Sequence, residues 1–515
     1  MELVYNVKDR PPIKQNLVFA LQQIIAIMAA TLLVPIIVST VGLECDPAAA
    51  LFGAGAGTVV YLLFTRFKSP VFLGSSFTFL GSLCAVAANN YGYWGLIIGV
   101  VFAALVYVII GLVIKFVGSK WIHKLLPPVI IGPILAIIGL SLSGTAGAWV
   151  MRNTHLDGAP YNILAVIIGL FTFFMIVFAS VKGKKTAKLI PFIIGIGAGL
   201  GVAIFFTAFS YAAPDGSKAQ NILRIVDFTP IVDCFKPIRV QSFFDYPKFT
   251  FLMAIEDSVN GVERALDGAA VGNIALLFIP IAVVELAQHI SDHKNISNII
   301  GKDILTDPGL HNTLFGDGVG SAVGAFFGGC ANTTYGESIG CVALSGNAST
   351  STILIASIGC MVISFFSPFV ALINMLPKCV IGGACIALYG FIAVSGLNML
   401  REVDLNDHKN LYPVAAILVI GIGGITLDFG KNELTNKPVV QITALAVALI
   451  VGVLINIFTH HKSKKQLAAE AAEVSCNDAN DVADTFEMAA EDSVDAAQDA
   501  DKEDAAADVT IDSEE

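Results

Sequence analysis

Residues 330–337 read Cys-Ala-Asn-Thr-Thr-Tyr-Gly-Glu, and residues 72–79 read Phe-Leu-Gly-Ser-Ser-Phe-Thr-Phe. Both runs are short, contain a glycine, and are rich in hydroxyl, β-branched or aromatic side chains. Each one interrupts long apolar sequence. Because β-branched and aromatic residues favour extended backbone, we predict two short strands, around residues 73–79 and 330–336. These strands are expected to pair as an antiparallel ribbon.

The composition of the chain requires a membrane setting. The 515 residues are 55% hydrophobic and only 14% charged, and the charge-free windows can cross about 30 Å of hydrocarbon. We therefore predict an all-α polytopic membrane protein rather than a soluble one. The charge-free windows are 15–43, 48–65, 69–114, 125–151, 158–181, 189–214, 268–284, 318–336, 338–377, 379–400, 410–427 and 438–459.

Two of these windows are too long for a single helix. The turn residues Asn89 to Gly92 split the window 69–114, and the window 338–377 divides near residues 349–352. With a crossing that ends at His289, the count is about fourteen transmembrane segments. The two strand-like runs are each third among the seven spans of their half, which predicts a 7+7 inverted repeat with the strands at the midplane.

Charge distribution sets the expected topology. Lysine and arginine cluster after every second span, so the positive-inside rule places those loops and both termini in the cytoplasm. The polar N-terminal head does not have the pattern of a cleaved signal peptide. Residues 466–515 contain 17 acidic residues and the single basic Lys502, which predicts a disordered acidic tail. The tail accounts for the net charge of −11, because the rest of the chain carries about +5.

The spans and loops give the predicted domain organisation. The chain would have a cytoplasmic N-terminus, a core domain, a gate domain, a long extracellular loop, second halves of the core and the gate, and the acidic tail. Their respective bounds are 1–14, 15–116, 117–214, 215–267, 268–376, 377–461 and 462–515.

Three ionisable residues fall in otherwise apolar sequence. Glu285 and His289 lie one helical turn apart, and Glu337 ends the second strand-like run. Ionisable groups at bilayer depth are costly and usually mark an ion, proton or substrate pathway. Two structural alternatives stay open. Glu285 and His289 could form an ion pair that only locks helix packing, and Glu337 could only cap the following helix.

The cysteines and the other histidines indicate no cofactor. The nine cysteines form no CxxC pair and no metal-ligand spacing with histidine. We expect no metal, no cofactor and no nucleic-acid partner. The remaining histidines, His293 among them, are interpreted as interfacial polar residues at helix ends or in loops. Because no nucleophile, metal cluster or cofactor motif is found, we expect a carrier rather than an enzyme, with a passive channel as the alternative.

Four runs of sequence resemble the nucleobase/ascorbate transporter (nucleobase:cation symporter-2) family, most closely its bacterial uracil permease branch. The runs are residues 126–133, 284–289, 307–311 and 332–340, within a resemblance over roughly residues 10–462. The polar run that ends at Glu337, together with Glu285-x-x-x-His289 on an earlier helix, is a specific signature of this family. Either motif alone would be weak evidence for it. The resemblance implies fourteen segments in two inverted halves, a substrate-holding core, a gate, and proton-coupled uptake.

The same resemblance implies roles for single residues. Glu285 and Glu337 would bind the base through their carboxylates, and His289 with Glu285 would couple protons. Backbone N–H groups at Phe77 and Gly336 would meet the base. The residues expected to pack around it are Ala30, Tyr335 and Tyr389.

The implied substrate is a nucleobase, above all uracil, taken up with protons across the cytoplasmic (inner) membrane. Glutamate at position 337 favours uracil over xanthine and urate, while xanthine, another purine or another pyrimidine stays open. Uracil presents alternating N–H donors and C=O acceptors, which carboxylates and backbone N–H groups complement. The apolar outer faces of the gate spans predict a homodimer held through the gate domains in the lipid bilayer.

Overall fold

The computed structural model describes residues 3–118, 121, 127–151, 161–184, 187–188, 190–212, 214, 217–236, 238–431 and 438–460. The chain divides into two units, Met1–Ile455 and Asn456–Glu515. In the second unit the described part is the end of one helix, residues 456–460. The predicted acidic tail, residues 462–515, lies outside the described residues.

The first half of the chain is a series of apolar helices interrupted by one short strand. Side-chain caps start two of the helices, where Asp46 accepts from the Ala48 N–H and Asn162 accepts from the Leu164 N–H. In order the elements are α1 (Ile13–Ser39), α2 (Pro47–Phe64), β1 (Leu73–Ser75), α3 (Leu80–Ala88), α4 (Gly92–Val117), α5 (Pro128–Ser141), α6 (Ser143–Val150), α7 (Ile163–Lys182) and α8 (Pro191–Ser210).

The segment predicted as a long outer loop contains three short helices, α9 (Lys218–Leu223), α10 (Thr229–Phe235) and α11 (Thr250–Val259). At the start of α11, the Phe249 ring lies 5.0 Å from that of Phe52, and the Phe251 ring stacks on Phe326 at 4.5 Å, both measured between centroids. This segment is therefore packed on α2 and α13 (defined below) rather than free.

The second half repeats the order of the first, with two helices, a strand followed by a helix, and further helices. In order the elements are α12 (Gly268–Ile300), α13 (Leu310–Gly328), β2 (Asn332–Thr334), α14 (Gly336–Ser345), α15 (Thr350–Ile363), α16 (Ser367–Asn374), α17 (Lys378–Met399), α18 (His408–Gly423), β3 (Leu427–Lys431), β4 (Pro438–Ile442) and α19 (Ala444–His460). Short helical turns also occur at residues 240–242, 305–309 and 400–402.

The two strand-like runs form the predicted ribbon. β1 and β2 pair in antiparallel register, with Leu73 opposite Thr334 and Ser75 opposite Asn332. The strands are shorter than predicted because the chain turns into α3 after Ser76. The prediction of a mainly helical membrane fold with two central strands is confirmed.

The membrane-crossing helices agree with the predicted windows. Among the described residues, eight helical stretches are long and apolar enough to cross a membrane, counting α5 and α6 together as one, and α15 and α19 are shorter apolar helices. α3 and α14 are short because each follows a strand in its segment. The predicted split of the window 69–114 is confirmed. Asn90 and Gly92, at φ values of 56° and 71°, form the turn between α3 and α4.

Two helices approach closely beneath the ribbon. A Cβ on Gly53 of α2 would lie 2.4 Å from the Gly324 carbonyl oxygen of α13, and one on Gly57 would lie 2.5 Å from that of Gly320. The contact therefore requires glycine. It also supports the strand, because the Asn332 side-chain amide donates to the Gly53 carbonyl at 3.0 Å.

The C-terminal part of the fold departs from the predicted windows. The β-branched run Pro438–Ile442 forms β4 and pairs with β3, so α19 begins at Ala444 rather than at residue 438. Contacts join β4 to α12. A run rich in valine and isoleucine is equally compatible with a strand and with the start of an apolar helix, and tertiary pairing decides between them.

Candidate functional site

The site is built at the junctions where each strand of the ribbon meets its helix. Gly336 is the first residue of α14, and among the described residues no side chain caps that helix. The N–H groups of a first helical turn have no partner within the helix, so this end is a source of hydrogen-bond donors and positive potential. Gly336 is exposed, and a Cβ there would meet no atom of the described part of the chain within 4 Å. The junction therefore faces open space.

Glu337 lines a cavity next to this junction. The cavity has a volume of about 140 Å³ and lies between α1 and α14 on one side and the start of α8 on the other. Ile25 contributes apolar surface from α1, Phe192 contributes an aromatic ring from α8, and Lys188 brings a positive charge. Glu337 is half-buried, so its carboxylate is accessible to a small molecule in the cavity.

Buried aromatic side chains surround the ribbon. The rings of Phe77 and Tyr389 meet edge to face with centroids 6.3 Å apart. The Tyr335 hydroxyl donates to the Ser75 carbonyl at 2.7 Å, which fixes its ring against β1. Ala30 of α1 is also buried. Of these residues, Ala30, Tyr335 and Tyr389 are the ones predicted to pack around the base.

Glu285 is enclosed on α12 and does not pair with His289. The hydroxyls of Thr78 and Thr333 bond its carboxylate, and within the described part of the chain its Oε2 atom has no hydrogen-bond partner. Burial of an unsatisfied carboxylate oxygen is costly. The alternative of a Glu285–His289 ion pair is wrong, because His289 is bound elsewhere.

The partner of His289 is Asp317 on α13, a residue that the sequence analysis missed. His289 Nδ1 lies 2.6 Å from Asp317 Oδ2, and both side chains are buried. The Thr313 hydroxyl donates to the Leu310 carbonyl, so its oxygen accepts from His289 Nε2–H at 3.0 Å. Besides the hydrogen on Nε2, the pair therefore holds one further proton. This proton lies either on His289 Nδ1, beside an ionised Asp317, or on the carboxyl group of a neutral Asp317.

Two more ionisable residues on α12 were also missed as site candidates. The Asp292 carboxylate accepts from the Thr334 hydroxyl at 2.9 Å and interacts electrostatically with Glu285 and Glu337. His293 is fully buried because α12 continues to Ile300, so its interpretation as an interfacial residue is wrong. The signal in the sequence is the helical spacing of positions 285, 289, 292 and 293, which share one broad face.

A larger chamber of about 910 Å³ lies away from these carboxylates. Its lining includes Asp46 at the start of α2, Lys248, and Lys378 at the start of α17. The Lys248 Nζ bonds Glu44 Oε1 at 2.8 Å, and this hydrogen bond raises the pKa of Lys248. The chamber is large, but its ion pair is exposed, so the buried carboxylate cluster is the more specific candidate site.

Among the described residues, no group of three or more His, Cys, Asp or Glu side chains could hold a metal ion.

Comparison with known sequences places the chain among membrane permeases. A family model described as "Permease family" matches residues 14–429. A uracil permease of Bacillus caldolyticus is 35% identical over 456 residues, covering 88% of this chain and 94% of the relative. A uracil permease of Escherichia coli K12 is 31% identical over 446 residues, covering 86% and 93%. The putative pyrimidine permease RutG of the same organism is 30% identical, covering 82% and 86%.

Solved structures share the fold. The transmembrane domain of the cyanobacterial bicarbonate transporter BicA superposes with a TM-score of 0.54 at 12% identity, covering 87% of this chain and 99% of that one. SLC26A9 superposes with a TM-score of 0.54 at 12% identity, covering 88% and 66%. At these identities the likeness concerns the fold alone.

Proposed function

Because the chain belongs to the permease family of nucleobase transporters, we propose that it takes up uracil together with protons across the cytoplasmic membrane. The observation that carries the proposal is the junction of β2 and α14. There Gly336 is exposed, and the half-buried Glu337 lines a cavity of about 140 Å³. The named uracil permeases, at 31–35% identity over most of the chain, support uracil as the substrate.

Uracil and this junction have complementary hydrogen-bonding groups. The ring presents N–H donors, and the carboxylates of Glu337 and Glu285 would accept from them. Its carbonyl oxygens are acceptors, and the backbone N–H groups at Gly336 and Phe77 would donate to them. The ring faces would lie against the apolar and aromatic surfaces of Ala30, Tyr335 and Tyr389. Glu285 Oε2 has no hydrogen-bond partner in the described ranges, which supports a ligand or proton at that carboxylate.

The buried pair His289–Asp317 is the proposed coupling centre. One proton can lie on either partner without changing the net charge of the pair. Addition of a second proton, or loss of the first one, leaves a buried net charge. Binding of a proton from outside and its release inside would therefore be linked to the opening of the site. Glu285, one turn before His289, would link this proton to the bound base.

Transport would proceed by alternating access of two domains. We propose that α1–α4 and α12–α16 form the core and that α5–α8 and α17–α19 form the gate, with both termini in the cytoplasm. The cavity at Glu337 lies on the seam between α1 and α8, where relative movement of the domains would open or close it. Exposed apolar side chains on α7, including Phe174 and Phe178, suit contact with lipid or with a second copy in a homodimer.

Competition uptake tests the substrate. In a permease-deficient cell that expresses this chain, labelled uracil uptake should rise on acidification of the medium and fall with unlabelled uracil. Thymine and other pyrimidines should compete less than uracil, and xanthine and other purines should not compete. Competition by xanthine but not by uracil would overturn the substrate proposal, and uptake that never exceeds equilibration would indicate a passive channel.

A further inference from the structure

A small cavity lies directly beside the His289–Asp317 pair. It has a volume of about 10 Å³, and Tyr107 of α4, Asp317 of α13 and Thr333 of β2 contribute to its lining. The Tyr107 ring meets the His289 ring edge to face, with centroids 6.0 Å apart. A cavity of this size has room for one water molecule. The proposed function so far gives no role to the cavity or to Tyr107.

Two buried polar atoms of the lining have no hydrogen-bond partner in the part of the chain that the structure describes. They are the Tyr107 hydroxyl oxygen and Asp317 Oδ1, and these residues are only 4% and 1% exposed. A hydroxyl or carboxylate oxygen without a partner at this depth is costly. Because both residues line the same cavity, a single ligand that donates and accepts hydrogen bonds would satisfy both atoms.

Ser321 of α13 supplies a third polar group to the cavity. Its hydroxyl oxygen accepts from the backbone N–H of Asn332 at 2.9 Å, so its own hydrogen can point into the cavity. A water molecule there would donate to Asp317 Oδ1 and accept from the hydroxyls of Tyr107 and Ser321. Three partners are the usual number for a buried water.

The lining suits water better than a cation. Asp317 is the only carboxylate among the described residues of the lining, and its other oxygen is already bonded to His289. Divalent cations such as Ca²⁺ and Mg²⁺ take about six or more oxygen ligands. One carboxylate oxygen and two hydroxyl groups are too few for such a shell.

We propose that this cavity is the binding site of one water molecule, held by Tyr107, Asp317 and Ser321. The water hydrates the ionised form of Asp317 and so stabilises the state of the pair in which the proton lies on His289 Nδ1. Loss of this hydrogen bond favours the neutral carboxyl group. The water site rests on the geometry of the cavity alone, whereas its role in coupling rests on the proposed symport.

The other titratable groups around Asp317 make this hydration important. They come from α2, α4 and α12 and are Tyr61, Tyr107, Glu285, His289 and Asp292. Two of them are carboxyl groups, which repel the negative charge of Asp317 when they are ionised. Thr333, which lines the cavity, also bonds the Glu285 carboxylate. The water therefore lies between the coupling pair and a carboxylate proposed to bind the base.

The role in coupling is tested by uracil uptake against external pH in Tyr107→Phe. This variant keeps the ring against His289 and removes only the hydroxyl. Because the ionised Asp317 loses hydration, it takes up a proton more readily, so the pH of half-maximal uptake should rise by about one unit. The maximal rate at low pH should stay at the wild-type level, which a displaced helix would not give.

The matched control is Tyr93→Phe, at another buried tyrosine of α4. It lies about 21 Å along the helix from Tyr107. Its pH profile should equal that of the wild type.

The water itself is tested by a structure of the purified protein at about 2 Å resolution. One density peak should lie within hydrogen-bond distance, about 2.7–3.2 Å, of both the Tyr107 hydroxyl oxygen and Asp317 Oδ1. The peak should be the same in sodium and in potassium salt.

The outcomes separate the site from its role. Absence of the peak in a map that shows other buried waters would overturn the site, and a peak with uptake only in sodium salt would assign the site to a cation. An unchanged pH profile in Tyr107→Phe would refute the role in coupling. Wild-type uptake that does not respond to pH would refute the proposed symport, while the density would still decide the water site.

Discussion

The helices that carry the buried ionisable residues and the helices of the proposed gate are built differently. On α12 and α13 five ionisable side chains are buried, namely Glu285, His289, Asp292, His293 and Asp317. Among the described residues of α5–α8 and α17–α19, the buried polar side chains are uncharged, as in Thr172 and Thr207. Ionisable residues inside a membrane usually mark a substrate or ion pathway, so this contrast supports the proposed separation of a substrate-holding core from a gate.

Close packing alone does not distinguish the two regions. A Cβ on Gly57 would lie 2.5 Å from the Gly320 oxygen in the first region, and one on Gly383 would lie 2.1 Å from the Gly169 oxygen in the second. Both regions are therefore rigid assemblies of tightly packed helices. The contacts between them are fewer, chiefly of α12 with β4 and α5, and of α1 with α8. Tight packing within each region and fewer contacts between them support the proposed movement of one region against the other.

The largest expected effect comes from removal of a carboxylate. Loss of an acceptor leaves a bound N–H unpaired, which costs about 1–3 kcal/mol and more for a charged acceptor. Uracil affinity should therefore fall at least about tenfold in Glu337→Ala and in Glu285→Ala, by isothermal titration of purified protein. Glu256→Gln, at an exposed glutamate of α11, should bind normally.

Normal binding in both carboxylate variants would contradict the assignment. Normal binding in Glu285→Ala alone would indicate that the second polar contact with uracil is made by another residue of α12. The candidates are then Gln288, which is partly exposed, and Asp292, which interacts with Glu337. Titration of Gln288→Ala and Asp292→Asn would decide between them.

The next effect concerns the proton rather than the base. Asp317→Asn replaces the carboxylate beside His289 with an amide that cannot take up a proton. Uracil uptake should then lose its rise on acidification while binding persists. The measurement is initial uptake rate against external pH, with Asp233→Asn at an exposed position of α10 as the control. An unchanged pH profile in Asp317→Asn would show that the pair is structural.

A smaller effect distinguishes the two tightly packed regions. Gly57→Ala and Gly383→Ala should each destabilise the protein by about 1–3 kcal/mol through overpacking. Both should lower the melting temperature in a thermal shift assay. Only Gly57→Ala should also weaken uracil binding, because its Cβ would lie 2.9 Å from the Asn332 amide that holds β2. Equal loss of uracil binding in both variants would contradict the proposal that only the first region holds the substrate.

The smallest effect should come from the acidic tail. Its composition cannot bury an apolar core, so deletion of the residues after Lys465 should leave uracil uptake and the mass of the proposed homodimer unchanged. Uptake and light scattering of the purified protein would check this. Lost transport from correctly inserted, normally abundant protein would assign the tail a regulatory role.

The helices and central strands of this fold could be predicted because strong local sequence patterns indicate them. The strand-like runs, the apolar windows and the turn at Asn90 depend on residues close together in the chain. The partners of the buried groups were not predictable in the same way. Asp317 lies 28 positions after His289, and only the packing of α12 against α13 brings them together. The β3–β4 pairing likewise depends on contacts beyond the local pattern.

The most direct test of the account measures uracil and proton movement together. In liposomes with the membrane potential clamped at zero, an outward uracil gradient should drive protons outward with it, and a protonophore should abolish uracil accumulation driven by an opposing pH gradient. The account predicts both results in the wild type and neither in Glu337→Ala. Uracil flux without any proton movement in the wild type would contradict it.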